Sequence, residues 1–139
     1  MHSNAAARDE KTALAIAKGI KKVSRDFVLF GLAGSKMIEI WKNEGFKIMG
    51  EAFADRRYEP DGSLRSRKFD DALITDPFAA AEQALRIAAE GKVISVTGDE
   101  IPINAQTICI HSDTKNSLEI AKVVRNKLNE AGFLSAFVS

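Results

Sequence analysis

The chain has 139 residues, of which 45% are hydrophobic and 28% are charged, and its formal net charge is +1. These values are ordinary for a globular protein and exclude a chain whose overall charge attracts nucleic acid or an anionic membrane. We expect residues 1–139 to form a single domain with its own core. A binding site in such a chain must come from a local group of residues.

The single cysteine and the absence of long apolar runs indicate the compartment. Cys109 has no second cysteine to pair with and lies in the apolar run 108–110, which favours a buried thiol in a reducing compartment. No apolar stretch approaches the roughly 20 residues that span a bilayer, and the N-terminus has no apolar signal core. We therefore expect a soluble, cytoplasmic chain with no nucleic-acid or membrane partner.

Helices and strands alternate along the first half of the chain. Leu14, Ala17 and Ile20 recur at helical spacing and predict an amphipathic helix over residues 5–23. The continuous apolar run 27–30 predicts a strand buried on both faces.

A second helix and strand follow. Ser35 can cap a helix that ends at Gly45. A short strand candidate at residues 46–49 then leads into a polar segment over residues 51–68.

The second half continues the alternation. Asp76 and Pro77 mark the start of a helix that Gly91 ends. Residues 93–96 and 101–103 predict a hairpin, with its proline-containing strand at an edge. A buried strand at 107–110 and a final helix at 116–131 complete the pattern.

This alternation predicts an α/β fold with a mainly parallel sheet. Periodicity leaves open whether the sheet closes into a barrel or forms an open, doubly wound sheet. Ligands bind beyond the carboxyl ends of the strands in both architectures. Three polar clusters follow strands directly, so we expect them at that edge.

The first cluster is the turn 31–35, where two glycines precede a helix start. Backbone amides at Gly34 and Ser35 could approach an anion, helped by the helix dipole. The spacing matches no established phosphate-binding loop, and a plain tight turn is an equal alternative.

The second cluster places Arg56 and Arg57 beside Glu51 and Asp55. Guanidinium groups bind carboxylates through paired hydrogen bonds, so this cluster could clamp a substrate carboxylate. The alternative is a surface group of salt bridges. A basic loop that could close over a ligand follows, and its arginines are Arg65 and Arg67.

The third cluster begins where the last buried strand ends, at His111, Asp113 and Thr114. A histidine and an aspartate two residues apart can act as a base with its orienting acid, or can hold a metal or a water. In the alternative interpretation Asp113 or Thr114 only caps the following helix.

Together these segments resemble a known family. The similar stretches are residues 4–9, 31–35, 50–64 and 107–113, and the most specific string is Phe53-Ala54-Asp55-Arg56-Arg57-Tyr58. In order and spacing they resemble the LamB/YcsF or lactam utilisation family, whose members are the A-type subunits of 5-oxoprolinase. The resemblance implies a distorted seven-stranded β/α barrel, of which this chain is the C-terminal portion.

The resemblance also implies an activity. Family members are expected to open the lactam 5-oxoproline to glutamate, with ATP as a co-substrate and 5-oxoprolinase subunits B and C as partners. The five-membered amide resists hydrolysis, so phosphorylation of its oxygen would create a leaving group before water adds. Such an enzyme needs a group that activates water and a clamp for the substrate carboxylate.

These roles have candidates in the clusters. His111 is expected as the base and Asp113 as its orienter, while Glu51 and Asp55 are candidates for a second base or a metal ligand. The expected substrate-binding residues are Arg56, Arg57, Gly34 and Ser35, with either arginine as the clamp. Whether a metal is bound stays open.

The chain departs from the family pattern in two ways. The N-terminal Asn-x-Asp-x-Gly-Glu and Lys-Pro-His-Gly motifs have no counterpart, and the usual His-Gly-Asp is His111-Ser112-Asp113. An incomplete barrel leaves open sheet edges, which proteins usually cover. We therefore expect a fragment, a split enzyme that needs a separate N-terminal half, or a half-barrel that pairs with a second copy.

Two other functions stay open. The chain could be a non-catalytic binding or assembly module derived from the family. It could also be an unrelated doubly wound domain that binds a phosphate at Gly34 and Ser35.

Overall fold

The computed structural model describes residues 4–133. The chain divides into two compact units. Of the described residues, the first unit contains 4–52 and 103–107, and the second contains 53–102 and 108–133. Within residues 4–133, no helix is long and apolar enough to cross a membrane.

The first unit alternates helices and strands as the sequence predicts. Its elements are α1 (Asn4–Arg8), α2 (Glu10–Lys21), β1 (Val28–Leu32), α3 (Lys36–Asn43) and β2 (Lys47–Phe53), whose last residue enters the second unit. The prediction of one helix over residues 5–23 is wrong at Asp9, which separates α1 from α2. Asp9 has extended backbone, and its side chain accepts a hydrogen bond from Thr12 N at 2.8 Å. This N-cap begins a new helix and so breaks the longer one.

Helices α2 and α3 share the core of the first unit with β1. Ala13, Ala17, Leu29 and Trp41 are buried together there. The Trp41 indole Nε1 donates to the Ala13 carbonyl at 2.9 Å, so the ring's polar atom is satisfied inside this core.

Strands β1 and β2 are parallel, which confirms the predicted α/β class. Their register pairs Val28 with Lys47 and Leu32 with Glu51, and the strand order of the sheet is β1-β2-β5. The strand predicted at residues 46–49 is longer than expected and continues to Phe53. Ala52 and Phe53 are both buried, which explains why the strand runs into the segment that looked polar.

The second unit has the helices and the hairpin that the sequence predicts. Its elements are α4 (Pro77–Glu90), β3 (Lys92–Ile94), β4 (Glu100–Pro102), β5 (Thr107–Cys109), whose first residue belongs to the first unit, and α5 (Ser117–Glu130). Asp76 caps α4 by accepting from Ala79 N, and Gly91 ends it in a left-handed conformation. Strands β3 and β4 pair antiparallel, as the hairpin requires.

Helices α4 and α5 form the core of the second unit. They pack small residues against branched ones, with Ala80, Ala84, Ile120 and Val124 buried. Ala54, the first residue after β2, is buried in the same cluster. This packing places the chain that leaves β2 next to α4.

Candidate active site

Two strand ends meet in the second unit. The backbone N–H of Ala54, just after β2, donates to the carbonyl of Cys109, the last residue of β5, at 3.1 Å. The chain continues from these two positions into Asp55 and His111. The predicted second and third clusters therefore come together at residues 55 and 111.

The carboxylate of Asp55 is fully buried and accepts hydrogen bonds from His111 and Thr114, near the end of β5. Its Oδ2 accepts from the backbone N–H of His111 at 2.9 Å and from the Thr114 hydroxyl at 2.6 Å. Its Oδ1 lies 3.0 Å from Nδ1 of the His111 ring. Since an isolated buried carboxylate is costly, these donors explain how Asp55 is tolerated in the core.

The same contacts fix the histidine ring. A carboxylate only accepts hydrogen bonds, so Nδ1 of His111 is the donor in its contact with Asp55. The Phe53 ring stacks on His111, with the ring centroids 5.2 Å apart and the planes inclined by 20°. His111 is thus held both by a hydrogen bond and by a flat apolar surface.

Gln83 and Tyr58 support the backbone beside Asp55. Gln83, buried on α4, donates through Nε2 to the carbonyls of Phe53, Ala54 and Arg56. The fully buried Tyr58 hydroxyl accepts from the backbone N–H of Phe53 at 2.9 Å. Burial raises the pKa of Tyr58 well above its ordinary value, so the side chain acts as a neutral core group.

The two adjacent arginines have different environments. Arg56 is buried and donates through Nη2 to the Arg65 carbonyl at 2.7 Å, while Arg57 is exposed. Burial lowers the pKa of Arg56, and the nearby charge of Arg67 lowers it further. Among residues 4–133, nothing accepts a hydrogen bond from the buried Nε of Arg56. Of the two candidates for the clamp, Arg56 is therefore the one with an unused donor beside Asp55.

Asp113 lies against the basic loop. Nη1 of Arg67 donates to its carboxylate at 2.7 Å, and this hydrogen bond lowers the pKa of Asp113 and raises that of Arg67. The sequence suggested Asp113 as the orienter of His111, but the carboxylate at Nδ1 belongs to Asp55. The orienting role therefore falls to a residue that was expected to be a second base or a metal ligand.

The remaining candidates lie in the first unit. Gly34 has a positive φ of 78°, and Ser35 occupies the N-cap position of α3 without a side-chain capping bond. Glu51 ends the β1–β2 register, and its carbonyl accepts from Ala33 N at 3.0 Å. Over the described range 4–133, no group of three or more His, Cys, Asp or Glu side chains could hold a metal ion.

Two residues of the site were missed from the sequence. Thr114 was considered only as a helix cap, although its position three residues after His111 places it beside the same strand end. Gln83 stands on the apolar face of α4 between Ala80 and Ile87, and a buried polar residue on such a face was the available signal.

A buried carboxylate that orients a histidine, at the strand ends of an α/β fold, is an arrangement that can support general-base chemistry. The family model described as the LamB/YcsF family matches residues 2–138. The chain belongs to this family. The prediction of the family from the sequence is thereby confirmed.

Individual relatives agree with this assignment. The chain is 46% identical to the A-type subunit of 5-oxoprolinase from Rhodopseudomonas palustris over 134 residues, covering 96% of this chain and 53% of the relative. It is 43% identical to the protein of the same name from Chloroflexus aggregans, covering 93% and 51%. The crystal structure of a lactam utilization protein from Thermus thermophilus superposes with a TM-score of 0.82 at 39% identity, covering 92% and 51%. The chain thus spans about half the length of the relatives it matches.

Proposed function

We propose that this chain is part of an ATP-dependent 5-oxoprolinase, which hydrolyses the lactam 5-oxoproline to glutamate together with partner subunits. Relatives that match nearly the whole chain are named as 5-oxoprolinase subunits of the A type. The observation that carries the proposal is the contact between the buried Asp55 carboxylate and Nδ1 of His111. Hydrolysis of an amide needs a base that activates water, and this pair supplies one.

In this proposal His111 takes a proton from the attacking water at Nε2. Asp55 holds the ring in the tautomer that leaves Nε2 able to accept, and stabilises the imidazolium that forms. Thr114 and the His111 backbone N–H keep the Asp55 carboxylate in place. ATP, bound through the complex, would phosphorylate the lactam oxygen. After water adds to the carbon, the ring C–N bond would break with the nitrogen leaving as the amine, and a second water would release phosphate from the resulting acyl phosphate to give glutamate.

Arg56 is the proposed clamp for the substrate carboxylate. Its guanidinium is held by the Arg65 carbonyl and keeps a buried donor at Nε. A guanidinium with little access to water binds a carboxylate more strongly than an exposed one because solvent screens it less. Arg57, which is exposed, has no such advantage.

The complete enzyme is proposed to contain more than this chain. The relatives are named as one lettered subunit, which indicates a multi-subunit protein, and the proposed partners are subunits B and C. The other half of the family length would come from a separate N-terminal half or be replaced by a second copy. We propose that this assembly completes the distorted seven-stranded β/α barrel. The roles expected of Gly34, Ser35, Glu51 and Asp113 in binding or catalysis stay predictions for the complete protein.

Reconstitution tests the proposal. The chain is mixed with subunits B and C of a relative, with and without a polypeptide that carries the relative's N-terminal half, and glutamate formation is followed with 5-oxoproline and ATP. We expect ATP-dependent glutamate formation in the complete mixture, and its loss with Asp55→Asn. The absence of turnover in a mixture that is shown to assemble would contradict the proposal.

A non-catalytic binding or assembly module is the second candidate. Such a module would join the partner subunits without turning over substrate. The module would be favoured over the enzyme if the chain assembles with subunits B and C but glutamate forms no faster than in a mixture that lacks the chain.

A further inference from the structure

The amide of Gln83 is the only side chain of α4 for which the described contacts reach the backbone around Asp55. Its Nε2 lies 2.7 Å from the carbonyl of Phe53 and 2.8 Å from that of Arg56, with the carbonyl of Ala54 at 3.2 Å. These carbonyls stand on both sides of Asp55 in the chain. The Gln83 side chain therefore binds the backbone on both sides of Asp55, the residue that orients His111.

The carbonyl of Asp55 itself is held from another direction. It accepts from the backbone N–H of Ile74 at 2.9 Å, so every carbonyl from residue 53 to residue 56 has a donor in the second unit. Arg56 also forms an isolated antiparallel bridge with Leu73, so residues 72–74 hold one side of this stretch. Gln83 adds hydrogen bonds to the carbonyls of Phe53, Ala54 and Arg56 from α4.

Only a side chain that ends in a hydrogen-bond donor can bind these carbonyls. A carboxylate in place of the amide would repel the carbonyl oxygens, and an aliphatic side chain would remove the hydrogen bonds that Gln83 donates to them in the core, where Gln83 is 8% exposed. Glutamine has the amide donors and the length to reach from α4. The alternative is that Gln83 serves the stability of the core alone.

We infer that Gln83 is a positioning residue of the active site: by holding the carbonyls on both sides of Asp55, it sets the carboxylate at hydrogen-bonding distance from Nδ1 of His111. This inference rests on the proposed function for its kinetic consequence, but its geometric consequence can be measured without substrate. It adds a residue on α4 to a site otherwise built from strand ends.

The geometric readout is the Nδ1–H proton of His111. A ring N–H that donates to a buried carboxylate exchanges slowly and resonates far downfield in the proton NMR spectrum. The chain has two histidines, so the resonance is assigned by its absence in His111→Gln. The variants are Gln83→Met, which keeps the length and removes the donors, and Gln83→Asn, which keeps the donors and is one methylene shorter.

The matched control is Glu82→Gln. Glu82 is the preceding residue on α4, is exposed, and pairs with Lys127. Thermal unfolding followed by circular dichroism shows whether each variant folds. The spectra and the reconstituted activity are then recorded under the same conditions.

In folded Gln83→Met and Gln83→Asn we expect the downfield resonance to be lost or displaced, while Glu82→Gln keeps it. In the reconstituted enzyme we expect kcat to fall at least tenfold with KM within twofold of the parent, because the base and not the clamp is displaced. An unmoved resonance in the folded variants would overturn the inference even if they unfold at lower temperature. Failure of both variants to fold would also overturn it, since Gln83 would then serve the core.

The two proposals fail in different ways. If the parent assembly shows no 5-oxoproline hydrolysis while the resonance responds to the Gln83 variants, the proposed function is wrong and the positioning role stands. If turnover is present and the resonance is indifferent to Gln83, the positioning role is wrong and the proposed function stands.

Discussion

The Asp55 carboxylate lies 3.0 Å from Nδ1 of His111, although the two residues are 56 positions apart in the sequence. The same carboxylate accepts from the backbone N–H of His111 at 2.9 Å. Asp55 therefore binds both the ring and the main chain of one residue, which leaves the ring little freedom to rotate about its χ angles. A base that is held in this way loses little entropy when it meets its substrate.

Asp55→Asn is expected to lower kcat by roughly a hundredfold or more, the range of a general base that has lost its orientation. Asparagine has a single side-chain oxygen to accept the hydrogen bonds that the two oxygens of Asp55 accept. Its amide N–H groups would face the Thr114 hydroxyl or the His111 ring. The measurement is glutamate formation by the reconstituted assembly. Asp70→Asn serves as the control, because Asp70 is an exposed aspartate of the same unit. A kcat within twofold of the parent would remove Asp55 from the mechanism.

His111→Ala is expected to abolish lactam hydrolysis while the chain still folds. The ring is 9% exposed but lies outside the cluster of buried residues between α4 and α5, so its removal leaves that core intact. Activity and thermal unfolding are measured on the same preparation. An unchanged rate of lactam hydrolysis would contradict the role of His111 as the base. A variant that no longer unfolds cooperatively would show that His111 is a structural residue instead.

The order of elements could be predicted from the sequence because its signals are local. Asp76 and Gly91 bound α4 through a cap and a left-handed residue, and both signals depend only on neighbouring residues. The break at Asp9 was missed because apolar spacing continues across it, while the cap depends on a contact with Thr12. Local signals thus predicted most boundaries and failed where two of them competed.

The site could be predicted only in part, because partners in it are chosen by tertiary contacts. The sequence placed Asp55 and His111 at strand ends, and these ends do meet in the second unit. It paired His111 with Asp113, the nearer aspartate in the chain, whereas the ring and backbone of His111 both contact Asp55. Nothing in a spacing of two residues shows which way the ring points.

Arg56→Lys and Arg57→Lys test the clamp as a matched pair. Lysine keeps the charge and loses the forked donors, so the first change is expected to raise KM for 5-oxoproline at least tenfold. The second should leave KM within twofold, because Arg57 is exposed. Steady-state kinetics measure KM for both variants, and circular dichroism shows that both are folded. Equal effects at both positions would contradict the assignment of the clamp to Arg56.

Arg67→Met is expected to raise the pKa of Asp113 toward the ordinary value of an aspartate. The hydrogen bond from Arg67 lowers that pKa, so the ion pair is present above the ordinary aspartate pKa and is lost as the pH falls through the lowered value. The measurement is a carbon NMR titration of the Asp113 carboxyl group. Lys68→Met, which removes an exposed neighbouring charge, is the control and should leave the titration unchanged.

Tyr58→Phe is expected to lower the free energy of unfolding by roughly 1–3 kcal/mol, because the hydrogen bond from the Phe53 backbone N–H to the buried Tyr58 hydroxyl would be lost. Chemical denaturation at neutral pH measures this change. The variant keeps the ring and its packing, so the difference isolates the hydroxyl. A loss that falls within the error of the measurement would show that another group accepts from Phe53.

The same residue predicts how stability changes in alkali. Burial raises the pKa of Tyr58 in the folded chain above its unfolded value. The unfolded chain therefore releases the phenol proton first, and the stability that Tyr58 contributes is full below the unfolded pKa and falls as the pH rises toward the folded one. Tyr58 is the only tyrosine, so phenolate absorbance reports it directly. We expect no phenolate in the folded chain at a pH where the unfolded chain is largely ionised, and a shallower alkaline loss of stability in Tyr58→Phe than in the parent.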